Sequence, residues 1–113
     1  MSVKNQNTDI WKGDTRSLAF FINDATDLEG YSAVWTMADE GEPVLLKQTG
    51  DGSITFDGNR VLVHLESQDT DYTSNITAGE YEHQLYVEDA QNHGVVASEG
   101  KITINDALYK LGI

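Results

Sequence analysis

The side chains of this chain that could do chemistry are three histidines, 19 acidic residues and the serines. Imidazoles and carboxylates can ligate metals or move protons, and an activated hydroxyl can attack a carbonyl. His64, His83 and His93 fall on three different elements. No His-Glu-x-x-His, His-x-His or spaced aspartate triplet occurs, so a zinc site has little support. His83 alternates with apolar residues and is read as a satisfied, half-buried histidine. His93 sits in a turn and His64 on an outward strand face.

The acidic clusters Asp24/Asp27/Glu29, Asp39/Glu40/Glu42, Asp69/Asp71 and Glu88/Asp89 invite a calcium reading. Calcium needs about six to eight oxygens converging on one point, and neither Asp51-Gly-Ser nor Asp57-Gly-Asn follows the EF-hand order. The clusters are read as solvated loop charge. Ser17, Ser32, Ser53, Ser67, Ser74 and Ser98 stand in no Gly-x-Ser-x-Gly elbow. Nothing selects a carboxylate pair for glycosidic chemistry, and no glycine-rich phosphate loop is present. Asn75-Ile-Thr77 fits the glycosylation sequon, but no secretion signal accompanies it. The expectation is a non-enzyme, with no catalytic, metal or cofactor-binding residues.

Aromatic side chains remain as candidates for binding. Trp35 lies mid-strand, where sandwiches bury a tryptophan. Tyr31, Tyr72 and Tyr86 lie near loops or on a polar strand face and are the candidate ligand aromatics, with a glycan as the ligand they would suit.

These residues must be positioned by strands. Tyr81, His83, Leu85 and Val87 alternate with Glu80, Glu82, Gln84 and Glu88, the period-2 pattern of a strand buried on one side. Gly79-Glu-Tyr81 follows a polar connection, as at a tyrosine corner. Similar runs occur at 9–12, 16–23, 31–38, 43–48, 53–56, 60–67 and 95–104, the last with a break or bulge suggested by Glu99-Gly100. Asp51-Gly52 and Asp57-Gly58-Asn59 read as hairpin turns, and one turn of helix fits between Ser67 and Ser74. Turns recur roughly every 8 to 12 residues, which is the sandwich signature. The fold class is all-β: a single antiparallel immunoglobulin-like β-sandwich of about 7–9 short strands. Residues 1–8 are expected to be a flexible arm, 9–104 the sandwich and 105–113 an apolar tail.

The net charge of −12, from 19 acids against 7 bases, repels phosphate backbones and anionic lipid, so neither nucleic acid nor membrane is an expected partner. The chain has no cysteine, which excludes disulfides and thiolate chemistry. The longest apolar run, Leu18 to Ile22, is strand length. The N-terminal residues do not form a secretory signal, so synthesis in a cytoplasm is expected.

In order along the chain, Trp11-Lys-Gly-Asp-Thr15, Leu18-Ala-Phe, Asp27-Leu-Glu-Gly30, Ala33-Val-Trp-Thr-Met, Leu45-Leu-Lys-Gln, Gly52-Ser-Ile, Val61-Leu-Val-His-Leu, Asp69-Thr70, Gly79-Glu-Tyr81, Val87-Glu-Asp89 and Gly100-Lys-Ile-Thr-Ile form a pattern. It resembles the small sandwich domain of tailed-phage structural proteins and is similar to the N-terminal domain of the upper baseplate protein. The likeness runs over about residues 10 to 104 and is carried by turn and core residues. It implies a virion component without catalysis, present in many copies and held by contacts with other virion proteins. The chain stops at Ile113, before the helix and receptor-connecting domain of the baseplate protein. The expected role is therefore capsid decoration, or a small tail, baseplate or head-completion subunit. Leu108, Tyr109, Leu111 and Ile113 form a candidate docking tail, which either packs on its own sandwich or seats on a neighbour. The alternative function is a carbohydrate-binding module.

Overall fold

Alternating apolar residues make strands here because every second side chain can enter a shared interior while the intervening ones stay wet. The computed structural model describes residues 4–22, 27–71 and 73–106. It contains β1 (Lys4–Asn5), β2 (Thr8–Trp11), β3 (Arg16–Phe21), β4 (Ser32–Asp39), β5 (Glu42–Gln48), β6 (Ile54–Asp57), β7 (Arg60–Leu65), α1 (Ser67–Thr70), β8 (Gly79–Glu88) and β9 (Gly94–Asn105). The larger sheet runs β9–β8–β4–β5, with β1 and β2 both lying beside β9, and the smaller runs β3–β7–β6. This is the immunoglobulin-like β-sandwich expected from the strand pattern.

One part of the sandwich is not antiparallel. β1 and β2 pair with β9 in parallel, Lys4 opposite Ser98 and Ile10 opposite Ile104. Residues 4–8, expected as part of a flexible arm, are therefore built into the sheet. Their polarity hid this, because the pairing uses backbone groups: Gln6 N–H donates to Glu99 O at 2.7 Å, and Lys101 N–H to Asn7 Oδ1 at 2.9 Å. Gly100 permits it. A Cβ there would collide with the Gln6 carbonyl.

The Glu99-Gly100 bulge expected from sequence lies elsewhere. The β8–β9 register shifts where Leu85 faces Ser98 and Tyr86 faces Val96, which makes Ala97 the extra residue. Asp51-Gly52 is also not a hairpin. After a 3₁₀ turn over Thr49–Asp51, Gly52 takes φ 81° and carries the chain from β5 in one sheet to β6 in the other. The other turns behave as their residues dictate. Gly58-Asn59 links β6 to β7, and Glu40-Gly41, with φ of 50° and 85°, links β4 to β5 in the manner of a type I′ turn.

Between the sheets lie Trp35, Met37, Phe20, Val61, Val63, Leu85 and Ile102, all essentially inaccessible to water. The connection from β7 to β8 is fastened at both ends. Tyr81 Oη donates to Thr77 O at 2.6 Å, which is the tyrosine corner. Lys47 Nζ meets Asp69 Oδ2 at 2.7 Å, Gly13 N–H donates to Thr70 Oγ1 at 2.9 Å, and the buried Lys12 ammonium donates to Ile76 O. Among the described residues no buried side-chain nitrogen or oxygen lacks a partner.

Candidate functional site

His83 is the most buried of the groups with chemical potential, and β8 turns it inward between the sheets. Its Nδ1 accepts from Trp35 Nε1–H at 3.1 Å, and its Nε2 faces Gln6 O at 2.7 Å. An indole can only donate and a carbonyl can only accept, so the ring is the neutral Nε2–H tautomer. Burial lowers its pKa below the ordinary histidine value, and the bond to Gln6 opposes this in part. The ring also sits 6.0 Å, centroid to centroid, from both Phe20 and Trp35. In antibody domains the position two residues after the corner tyrosine holds a cysteine, disulfide-bonded to the facing strand and packed on the core tryptophan. Here His83 holds that position, against Phe20 and Trp35. It is a packing residue with both nitrogens in use.

The other histidines lie apart from it. On the outer face of the smaller sheet, His64 Nδ1 pairs with Ser17 Oγ and Nε2 with Thr55 Oγ1, each at 2.7 Å. Each hydroxyl can donate or accept, so the ring bridges the two in a chain of three surface groups. His93 stands in the β8–β9 turn beside Asp89, whose carboxylate accepts the Gln91 and His93 N–H groups at 2.9 and 3.0 Å. Those bonds, the His93 amide first, lower the Asp89 pKa. Asp51 and Asp71 close their own turns in the same way, accepting from Ser53 and Thr73. These loop acids serve the backbone beside them. Among the described residues no three His, Asp or Glu side chains converge to hold a metal ion.

Tyr31 is half-buried and packs against the core, whereas Tyr86 points outward from β8 and is 40% exposed, its hydroxyl end lying over Gly94. The two do not share a face. Tyr72 and the tail residues Leu108, Tyr109, Leu111 and Ile113 lie outside the described residues. Trp35, expected as core, is fully buried.

The surface that strand order assembles is the outer face of the larger sheet. On it Leu46 of β5 is 49% exposed and stands opposite Thr36, Val34 stands opposite Tyr86, and the bulged Val44 is 41% exposed at the edge. Three depressions of about 500, 420 and 240 Å³ cross the middle of this face. The first two share Asn7 and Lys101, and the last two share Glu82 and Gln84, so they form one trough from β2 to the β4–β5 turn. Sequence reasoning found Tyr86 on this face but not Leu46 or Val44. In Val44-Leu45-Leu46 only the register with β4 tells which side chain faces out.

No protein-family model matches the chain, and no curated protein does. Solved structures do. CopC from Methylosinus trichosporium OB3b superposes with a TM-score of 0.51 at 13% identity, over 96% of this chain and 91% of that one. At that identity the likeness concerns the fold alone. Extracellular domains 3–5 of Drosophila OTK align at 0.35 with 14% identity, over 91% of this chain and 33% of that one. The V domain of amphioxus IgVJ-C2 aligns at 0.31 with 15% identity, over 86% and 98%. The protein belongs to the class of immunoglobulin-like β-sandwiches.

Proposed function

We propose that this chain is a non-enzymatic structural component of a tailed-bacteriophage particle, acting through protein–protein contacts. The observation that carries the contact part is the outer face of the larger sheet, where Leu46 and Val44 of β5 and Tyr86 of β8 are exposed on either side of β4, among polar groups. Exposed single apolar residues are ordinary, but several gathered on one sheet face are what interfaces use. The phage part rests on the ordered resemblance from Trp11 to Ile104. Within a particle, many copies on a symmetric lattice would sum individually weak contacts.

Mass spectrometry of gradient-purified particles from the strain that encodes the chain tests this reading. The chain should co-migrate with the major capsid or tail proteins in a fixed copy number. Its absence from intact particles would overturn the assignment. Glycan binding is the competing use of the same face, through Tyr86, and a glycan array with wild type and Tyr86→Ala separates the two. Specific, Tyr86-dependent glycan retention would favour the alternative.

A further inference from the structure

The trough across the larger sheet is strongly biased in charge. Asp9, Glu80, Glu82, Glu88 and Glu99 stand on or beside it, and the cations among the described side chains there are Lys101, paired with Glu80 at 3.1 Å, and Arg16, which donates to Asp9 O at 2.9 Å. Apolar side chains flank the acids on one side, Leu46, Val44 and Tyr86 among them. We propose that this face docks a protein segment presenting lysine or arginine side chains next to apolar ones. The inference rests on the protein-contact reading above and is independent of which particle the protein joins.

Two other occupants fit less well. A second copy of this chain would bring a net charge of −12 against an acidic face. Among its described cations, Lys12 and Lys47 are buried, Arg60 is paired with Asp57, Lys101 with Glu80, and Arg16 donates to Asp9 O. Like charges brought directly opposite one another oppose association. Addition of a strand to the β5 edge is blocked by the devices that protect natural sheet edges. Pro43 has no N–H to offer, Val44 is bulged, and Lys47 points inward to Asp69. The partner must therefore lie across the face, where acids attract it and Leu46 and Tyr86 give it somewhere to bury apolar surface.

Five strand positions span about 19 Å, which an extended peptide of roughly eight residues can cross. The probe is a synthetic peptide of that length alternating lysine and valine, titrated into isotopically labelled full-length protein at physiological salt, where loose attraction between exposed charges is screened. Binding should saturate, with amide shifts concentrated on β4, β8 and β9. The Glu82→Gln/Glu99→Gln variant should bind about tenfold more weakly, and Leu46→Ala several-fold more weakly, as for residues central to an interface. Glu29→Gln, which removes a charge in the β3–β4 connection, should leave affinity unchanged. Unaltered amide spectra of the free variants establish that each is folded. Shifts spread equally over Asp51 and Asp57, or affinity indifferent to Leu46→Ala, would overturn the proposal. The chain's absence from particles would remove the phage reading and leave this result standing, so the two fail separately.

Discussion

The Trp35 indole N–H donates to His83 Nδ1 at 3.1 Å, and this contact joins the neighbouring strands β4 and β8 at the position where antibody domains carry one cysteine of their inter-sheet disulfide. The same imidazole donates its Nε2–H to Gln6 O, so one buried ring ties the core tryptophan to the N-terminal segment. The bond from Trp35 requires the neutral ring.

That requirement gives a pH dependence with a defined sign. In the unfolded chain His83 titrates near the ordinary value of 6.5, while burial lowers it in the native state. Between those two values the unfolded chain takes up a proton that the native protein refuses, so folding stability is full above about pH 6.5 and declines as pH falls below it. Trp35, Phe20 and the Gln6 carbonyl, which surround the ring, carry no charge that could offset protonation. Urea midpoints measured from pH 7.5 down to about pH 5, above the carboxylate range, should fall for wild type. In His83→Leu that slope should flatten. The variant should also lose about 1–3 kcal/mol at pH 7.5, because the Trp35 N–H is left buried without an acceptor.

If Phe20 and His83 stand where the disulfide of antibody domains would lie, Phe20→Cys/His83→Cys should oxidise to a single intramolecular bond, detectable as a 2 Da mass loss on the ~1 Da scale that resolves it. The oxidised form should exceed its own reduced form in stability by about 4 kcal/mol, from closing a loop of roughly 60 residues. Failure to oxidise in the folded state would show that the two positions do not face each other in the way proposed.

Gly100→Ala should disturb the N-terminal strands more than the rest of the sandwich, since the added methyl meets the Gln6 backbone first and Asn7 Oδ1 beyond it. Amides paired through Gln6 and Lys101 should exchange with solvent faster, while those of Leu85 and Val63 stay protected. The expected cost is about 1–3 kcal/mol.

Lys47 and Asp69 form a largely buried ion pair, with side-chain exposures of 10% and 16%. Asp69→Ala should cost about 3 kcal/mol, because it leaves the ammonium buried and also removes the acceptor for Glu66 N–H at 2.8 Å. Lys47→Met should cost less. The Asp69 carboxylate keeps its backbone donor, and the methionine stem fills the same space. Equilibrium denaturation of the two variants checks the order.

The parts of this fold legible in the sequence were those encoded by alternation of side chains. Tyr81, His83, Leu85 and Val87 announce an inward face, and Gly79 with Tyr81 announces the corner, because both signals are local. β1 and the start of β2 were not legible, since Lys4, Asn5 and Asn7 contribute backbone and amide pairing to β9 with no apolar rhythm. Gly100 drew attention for the wrong reason: its role is to admit Gln6, while the bulge falls at Ala97. Lys12 gave no sign that it would be buried against Ile76 O. The outer-face site depends on strand order, which no single strand of sequence contains.

The most direct test of the central claim compares particle incorporation of wild type with that of Leu46→Lys/Tyr86→Lys, expressed from the same locus and both shown to be folded. The account predicts wild type in fixed multiple copies per purified particle and the variant lost from particles. Equal incorporation of the variant would contradict assembly through this face, and absence of the wild type from particles would contradict a structural role in them.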